Sequence, residues 1–386
     1  MMEMPNAPVL NYDVVVIGGG PAGMSASIEA GKLGLKVLLL NEKPAPGTNL
    51  GLFGGNELRE KLAAGLEDAG VDVITSARAL EIGNRSDLEK YVLFSSPMGL
   101  RGVRTGAVIY AAGSRERHAF EVGIVGDRGA GVYTVGEAME LISLGVLPGR
   151  NVVIGGSHDS ALHLASRLAE EGTVTIVDRR IEGPPQCLGR AGLMTGASVV
   201  EVRGRRRVER VGVDLGDRME WLDADTLIVG AEPVPAMGKL VRTGALVDPA
   251  TGGPLVSEWL ETSVPGIFAA GNSLGTGYDP GIAVEQGTIA ARGVLEFIEM
   301  GGIRNGGWAR VFGGEGVKFV FPQLLGGGDV TLYVRPEGPL KNGRLEIPEL
   351  GIETRVGDVI PSRILRVKLR GVDLKPGMKV RIMMGG

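Results

Sequence analysis

Apolar residues in this chain gather into short unbroken runs flanked by glycine, a pattern that predicts strands buried on both faces. Residues 14–17 and 37–40 are two such runs, with a helix expected between them that stops at Gly34. A turn-rich loop, KPAPGTNLGLFGGN, leads to a helix over 57–69, where Leu58, Leu62 and Leu66 recur at helical spacing. Strands are predicted over 71–74, 77–82, 90–95 and 102–110. From 151 to 180 the opening plan returns: an apolar strand, small residues, a helix, a stop at Gly172 and a strand over 174–177. Residues 225–235 read as the strand that closes this second unit, and 267–270 as a strand returning to the first. The stretch after Tyr278 predicts a helix with Ile282, Ile289 and Leu295 inward. Beyond it, 301–316 has the composition of a linker, and short alternating strands follow.

The predicted fold is α/β: two Rossmann-like dinucleotide-binding domains, the second inserted in the first, plus a small C-terminal β module. The expected division is 10–117 with 255–300, an inserted domain over 118–254, a linker over 301–316 and the β module over 317–386.

The candidate chemistry lies where strands meet glycines. Gly18, Gly20 and Gly23 stand in G-x-G-x-x-G spacing after the first strand: one for the tight turn, one for approach to a pyrophosphate, one for close helix packing. Phosphates would then rest on the free N–H groups at the helix start. Glu42, at the end of the second strand, is placed to accept hydrogen bonds from ribose hydroxyls. Ala111, Ala112 and Gly113 end one later strand, and Gly271 and Asn272 another; small residues there let the main chain pass close to a ligand. The N–H groups of Gly281, Ile282 and Ala283 open the last long helix, where negative charge on a reduced ring would be favoured.

The second fingerprint is altered and permits two registers. If Gly155 is the first glycine, Ser157 and Ser160 replace the others; if Gly156 is first, His158 takes the middle place and Ala161 the third. The second register is preferred, because it turns Ala165 and Leu168 toward the sheet. An imidazole then stands where a pyrophosphate approaches, so that His158 either contacts the anion or closes the site. Asp178 favours a free ribose 2′-hydroxyl, hence NADH, whereas Arg179 and Arg180 pull toward a 2′-phosphate.

Composition narrows the rest. The net charge of −4 gives no general reason to expect a nucleic-acid partner. No apolar stretch is long enough to cross a bilayer and the first residues lack the form of a secretion signal, so a cytoplasmic protein is expected. Cys187 is the only cysteine, which excludes an internal disulfide or a C-x-x-C redox pair, and any electron relay must be organic. His118, His158 and His163 lack a ligand-like grouping, so no metal is expected. Few cysteines and glutamines beside many arginines suit a heat-loving source. Near the C-terminus, Arg363, Arg366, Lys368, Arg370, Lys375, Lys379 and Arg381 form a basic run, read first as a solvated face and second as a docking surface for an acidic partner.

VVVIGGGPAG, Glu42, YAAG at 110–113 and GIFAAGN at 266–272 together resemble the two-dinucleotide-binding flavoproteins, the superfamily that includes thioredoxin reductase. The resemblance spans about 12–300. It implies FAD at Gly18, Gly20, Pro21, Ala22, Gly23, Glu42, Lys43, Ala79, Ala112, Gly113, Gly271, Asn272, Gly281, Ile282 and Ala283. It implies NAD(P)H at Gly156, Ser157, His158, Asp178 and Arg179. AAGSRER, GVYTVGEAMEL, VKFVFPQ, DVTLYVRP and LKPGMKVRI look more narrowly like the NAD(FAD) dehydrogenases that accompany anaerobic glycerol-3-phosphate dehydrogenase-like proteins. Related subunits occur in dye-linked proline and similar amine dehydrogenases. In two places the chain departs from that group: the loop after Glu42 is shorter and lacks a cysteine, and the second fingerprint is altered. The implied activity is an FAD-dependent oxidoreductase passing electrons between NAD(P)H and a partner subunit or small acceptor, with no side chain named as catalytic. Two alternatives stand beside it: an FAD-bearing, NADH-inactive subunit of a larger dehydrogenase, and a non-catalytic FAD-binding assembly protein.

Overall fold

The computed structural model describes residues 10–180, 189–277, 279–302 and 307–386. Cys187 and Tyr278 lie outside them. The chain packs as two compact units: one comprises the residues through Ser114, Pro235–Val359 and Ile364–Gly386, the other Arg115–Val234 and Ile360–Arg363.

The first unit opens with β1 (Leu10–Ile17), α1 (Pro21–Lys32), β2 (Val37–Leu40), α2 (Thr48–Leu52), α3 (Asn56–Asp68) and β3 (Asp72–Ile74). β4 (Arg78–Ser86), β5 (Glu89–Ser96) and β6 (Gly99–Tyr110) follow. The strands lie in the order β3-β2-β1-β6-β5-β4. β1 pairs in parallel with β2 and β6, which brings Ile17 beside Leu40 and Tyr110 at one carboxyl edge. Val14, Val15 and Val16 are fully buried, as a central strand covered on both faces requires. On its other edge the early part of β6 forms an antiparallel ladder with β5.

The second unit contains β7 (Ser114–Arg115), β8 (Val125–Gly126), β9 (Val132–Thr134), α4 (Val135–Ser143), β10 (Asn151–Gly155), α5 (Asp159–Leu168) and β11 (Thr173–Asp178). β12 (Gly192–Thr195), β13 (Ser198–Arg203), β14 (Arg210–Asp214), β15 (Met219–Asp223), β16 (Thr226–Val229) and β17 (Val234–Pro235) complete the stretch; β7 and β17 lie where the chain crosses between units. A five-stranded sheet runs β12-β11-β10-β16-β9 with every pairing parallel. The 190–223 stretch, which the sequence reading left unassigned, supplies β12 and the meander β13-β14-β15. Ala165 and Leu168 are buried as expected.

The chain re-enters the first unit with β18 (Ile267–Ala269), parallel to β6, and α6 (Pro280–Glu299). The buried face of α6 runs through Ile282, Gln286, Ala290, Gly293 and Phe297, so the expected Ile289 and Leu295 lie on its partly covered flank. Small residues decide this. Gly287 backs onto the Ala22 carbonyl, where any Cβ would come within 2.1 Å, and Ser25 Oγ donates to the Val284 carbonyl at 2.6 Å.

The remaining strands are β19 (Ala309–Gly313), β20 (Val317–Phe321), β21 (Leu324–Leu325), β22 (Gly328–Pro336), β23 (Leu340–Ile347), β24 (Ile352–Val359), β25 (Leu365–Val372) and β26 (Lys379–Gly385). They form sheets ordered β21-β19-β26-β23-β24 and β20-β22-β25. Two expectations change here. The linker over 301–316 contains β19, because Ala309 and Val311 alternate inward and pair alongside β26; glycines on either side masked the alternation. The inserted domain ends earlier than 254, because Leu240 and Ala245 are buried in the first unit's core. Phe319, Phe321 and Tyr333 also belong to that core, while Ala309, Val311, Leu332, Leu345, Ile347 and Ile382 form a separate one, so the C-terminal strands are a β module with its own core that packs within the first unit. Of the basic run, Arg366 pairs with Glu285 at 3.2 Å and Arg381 with Glu349 at 3.7 Å.

Candidate functional site

The turn between β1 and α1 shows why each glycine is needed. Gly18 sits at φ +108°, and a Cβ there would meet the Ala111 carbonyl oxygen at 2.2 Å. A Cβ on Gly23 would lie 1.8 Å from the Gly18 carbonyl oxygen, so helix and turn touch backbone to backbone. At Gly20 the opposite holds: a Cβ would meet nothing within 4 Å. Gly20 is the N-cap of α1, makes no side-chain cap and is followed by Pro21 with no acid in the first turn. The positive end of this helix therefore faces open space, which suits an anion.

Around it, Asn41 Oδ1 accepts the Gly19 N–H at 3.2 Å while its Nδ2 donates to the Lys43 carbonyl at 2.7 Å. Asn41 is buried and was missed by the sequence reading, which looked only for an acid at this strand end. Glu42 is exposed and pairs with Arg78 at 3.5 Å. Lys43 is exposed beside it, and its carbonyl accepts the Ser76 N–H; Ala79, buried, is the second residue of β4.

The other carboxyl ends converge through hydrogen bonds. Tyr110 donates to the Ala236 carbonyl at 2.5 Å, and burial pushes its hydroxyl up to about 12. Ala112 is exposed, and Gly113 follows at φ +72°. The Gly113 N–H donates to Ser273 Oγ at 3.0 Å, tying this turn to the one that carries Gly271 and Asn272. The Gly271 N–H in turn donates to Gln286 Oε1 of α6 at 2.8 Å. Ser273 and Gln286 escaped the sequence reading because nothing in their local spacing marks them. At the start of α6, the Asp279 carboxylate accepts the Ile282 N–H at 3.0 Å and the Asp279 carbonyl accepts that of Ala283. These donors, expected to face a ring, are thus engaged by the helix's own cap, while Gly281 is exposed ahead of them.

The second unit repeats the geometry and changes the chemistry. Gly156 sits at φ +115°, and a Cβ there would meet the Gly230 carbonyl oxygen at 2.4 Å, as Gly18 would meet Ala111. The N–H of each donates to its neighbouring strand, Gly18 to Leu40 and Gly156 to Val177. His158 caps α5 where Gly20 caps α1, and Asp159 takes the place of Pro21. His158 is 5% exposed, with Nδ1 3.3 Å from Ser160 Oγ. An imidazole and a carboxylate at this helix start do not fit a pyrophosphate as the open Gly20 end does.

Strand register also relocates the acid. Ile17 pairs with Leu40 and Gly155 with Val177, so Asp178 matches Asn41 and Arg179 matches Glu42. Asp178 Oδ2 accepts both the N–H and the O–H of Ser157, at 2.7 and 2.6 Å. Asp178 thus closes its own turn, and the exposed Arg179, not Asp178, stands at the place that Glu42 holds in the first unit. His163 is half-buried on α5, where desolvation lowers its affinity for a proton. Among the described residues no group of histidines, cysteines and carboxylates is arranged to hold a metal, and no helix is long and apolar enough to cross a membrane.

Comparison with known proteins agrees with this geometry. The chain is 27% identical over 316 residues to the sarcosine oxidase subunit alpha of Corynebacterium sp. (strain P-1), a match covering 71% of this chain and 32% of that one. It is 25% identical over 284 residues to the ferredoxin–NADP reductase of Halalkalibacterium halodurans, covering 68% of this chain and 84% of that one. The chain thus spans about a third of the length of the sarcosine oxidase subunit. Its fold is that of Lactococcus lactis thioredoxin reductase, with a TM-score of 0.63 at 23% identity over 75% of this chain and 99% of that one. The Pyridine nucleotide-disulphide oxidoreductase profile matches residues 12–287, and the chain belongs to that family.

Proposed function

We propose that this chain is the FAD-bearing subunit of an oxidoreductase, exchanging electrons with a partner subunit or a small acceptor rather than with a nicotinamide. The contrast between the two glycine turns carries this reading: open space at Gly20 and a buried imidazole at His158. Family membership and the likeness to a sarcosine oxidase subunit support it.

In this reading Gly18, Gly20, Pro21, Ala22 and Gly23 receive the diphosphate on the N–H groups of α1, and Glu42 with Lys43 receives the adenosine ribose. Ala79 borders the adenine side. Ala112, Gly113, Gly271, Asn272 and Gly281 line the path toward the ring. FAD supplies the redox chemistry, accepting and passing on electrons at its ring. The chain's own part is to hold and orient. Ser273 fixes one turn to the other, and Gln286 fixes the second turn to α6. The narrower similarity to NAD(FAD) dehydrogenases favours a second dehydrogenase subunit as partner, and the sarcosine oxidase likeness favours an amine as the substrate of the whole assembly.

Arg179 and Arg180 support a second reading, a flavin oxidoreductase that uses a nicotinamide carrying a 2′-phosphate. An anaerobic titration with NADH and NADPH, followed at the flavin absorbance, separates the two. The first reading expects neither nucleotide to bleach the flavin; bleaching by NADPH would replace it with the second.

A further inference from the structure

We propose that Arg335 is a positioning residue of the flavin site, holding through the Thr276 carbonyl the buried loop segment 273–277 that follows Gly271 and Asn272; this rests on the FAD reading above.

Arg335 lies on β22 and is fully buried. Taking a guanidinium out of water is costly, and a leucine would fill the same space without that penalty, so what it holds matters. Its Nη1 donates to the Thr276 carbonyl at 2.5 Å and lies 3.5 Å from Thr276 Oγ1. The guanidinium sits 5.8 Å from the Phe319 ring centroid. The Phe319 and Phe321 rings close the same loop from beneath, 3.1 and 3.2 Å from where a Cβ on Gly275 would stand. Residues 273–277 are consequently all buried.

Described residues on both sides of this segment belong to the candidate site. Ser273 is bonded to Gly113, and Gly271 to Gln286. Asp279 caps α6 at Ile282. One turn further along α6, Glu285 pairs with Arg366 of β25. Gln323 adds a third tie: its Oε1 accepts the Val256 N–H at 3.0 Å, and its own N–H donates to the Val256 carbonyl. The C-terminal strands therefore build the wall behind the ring end of the crevice, whereas the turn at Gly20 is built from β1, α1 and the ends of β2 and β6, with α6 against Ala22. Arg335 acts on one end of the cofactor only.

That asymmetry gives the test. The full chain is freed of flavin, and FAD and ADP are titrated separately into wild type, Arg335→Met and Arg335→Lys, with binding followed by protein fluorescence. ADP reports the diphosphate end and FAD both ends. The expected result is a tenfold or larger loss of FAD affinity in Arg335→Met, a smaller loss in Arg335→Lys and unchanged ADP affinity in both. Loss of FAD and ADP affinity in equal measure would reduce Arg335 to a general stabiliser and overturn the proposal, as would unchanged FAD affinity. If Arg335→Met does not fold, Arg335→Lys alone decides by the same criterion. A wild-type chain that takes up no FAD would instead remove the functional reading beneath it.

Discussion

Asn41 and Asp178 hold equivalent places in the two units: each accepts the N–H of the second residue in its glycine turn, Gly19 at 3.2 Å and Ser157 at 2.7 Å. The amide of Asn41 does this without adding charge beside the open end of α1, and its remaining N–H group secures the Lys43 carbonyl. Replacing Asn41 by alanine leaves the Gly19 N–H without this partner and removes one of the two hydrogen bonds on the Lys43 carbonyl. A stability loss of about 1–3 kcal/mol is expected, read as a lowered urea midpoint of the flavin-free chain.

The glycines of the first turn divide into structural and ligand-facing kinds. Gly20→Ala adds a methyl to open space at an ordinary φ of −80°, so the chain is expected to melt within a few degrees of wild type. That methyl occupies the space proposed for the diphosphate, and FAD affinity is expected to fall tenfold or more. Gly23→Ala drives a methyl into the Gly18 carbonyl and should destabilise the chain itself. Thermal melts of the two flavin-free variants, set beside their FAD titrations, check the distinction; comparable destabilisation by both would refute it.

His158→Gly reopens the second turn to match the first. If the imidazole is what closes that site, calorimetry should detect nicotinamide nucleotide binding in the variant, with NADPH ahead of NADH, which lacks the 2′-phosphate, because Arg179 stands where Glu42 does. Binding that weakens on this change would show His158 to be a phosphate ligand instead.

Lys90 is wholly buried, its ammonium donating to the Ser86 and Asp87 carbonyls at 2.7 and 2.5 Å. Burial pulls it down from 10.5 to about 8 in the folded chain. Below pH 8 both folded and unfolded chains carry the proton, and the desolvation penalty is fully present. Between about 8 and 10.5 the unfolded chain holds more protons, so stability from this group rises with pH. Urea unfolding at pH 7.5 and 9.5 should show that rise in wild type relative to Lys90→Met; a difference between the two proteins that does not change with pH would contradict it.

The sequence by itself determined the elements whose cause is local. Buried runs such as 14–17 and 37–40, the glycines at 18, 20 and 23, and the helix start at Pro280 each follow from residues a few positions apart, and the structure has them there. Tertiary structure alone decided what depends on partners far along the chain. Parallel pairing of β10 with β11 set the register that puts Arg179 rather than Asp178 in the place of Glu42, a single-residue step that flips a side chain to another face. Burial of Arg335 against Thr276 joins positions 59 residues apart. The placing of Phe319, Phe321 and Tyr333 in the first unit's main core likewise anchors the expected β module, which keeps a core of its own, to the rest of that unit. Hydrophobic spacing states which residues go inside, and only the packed chain states beside whom.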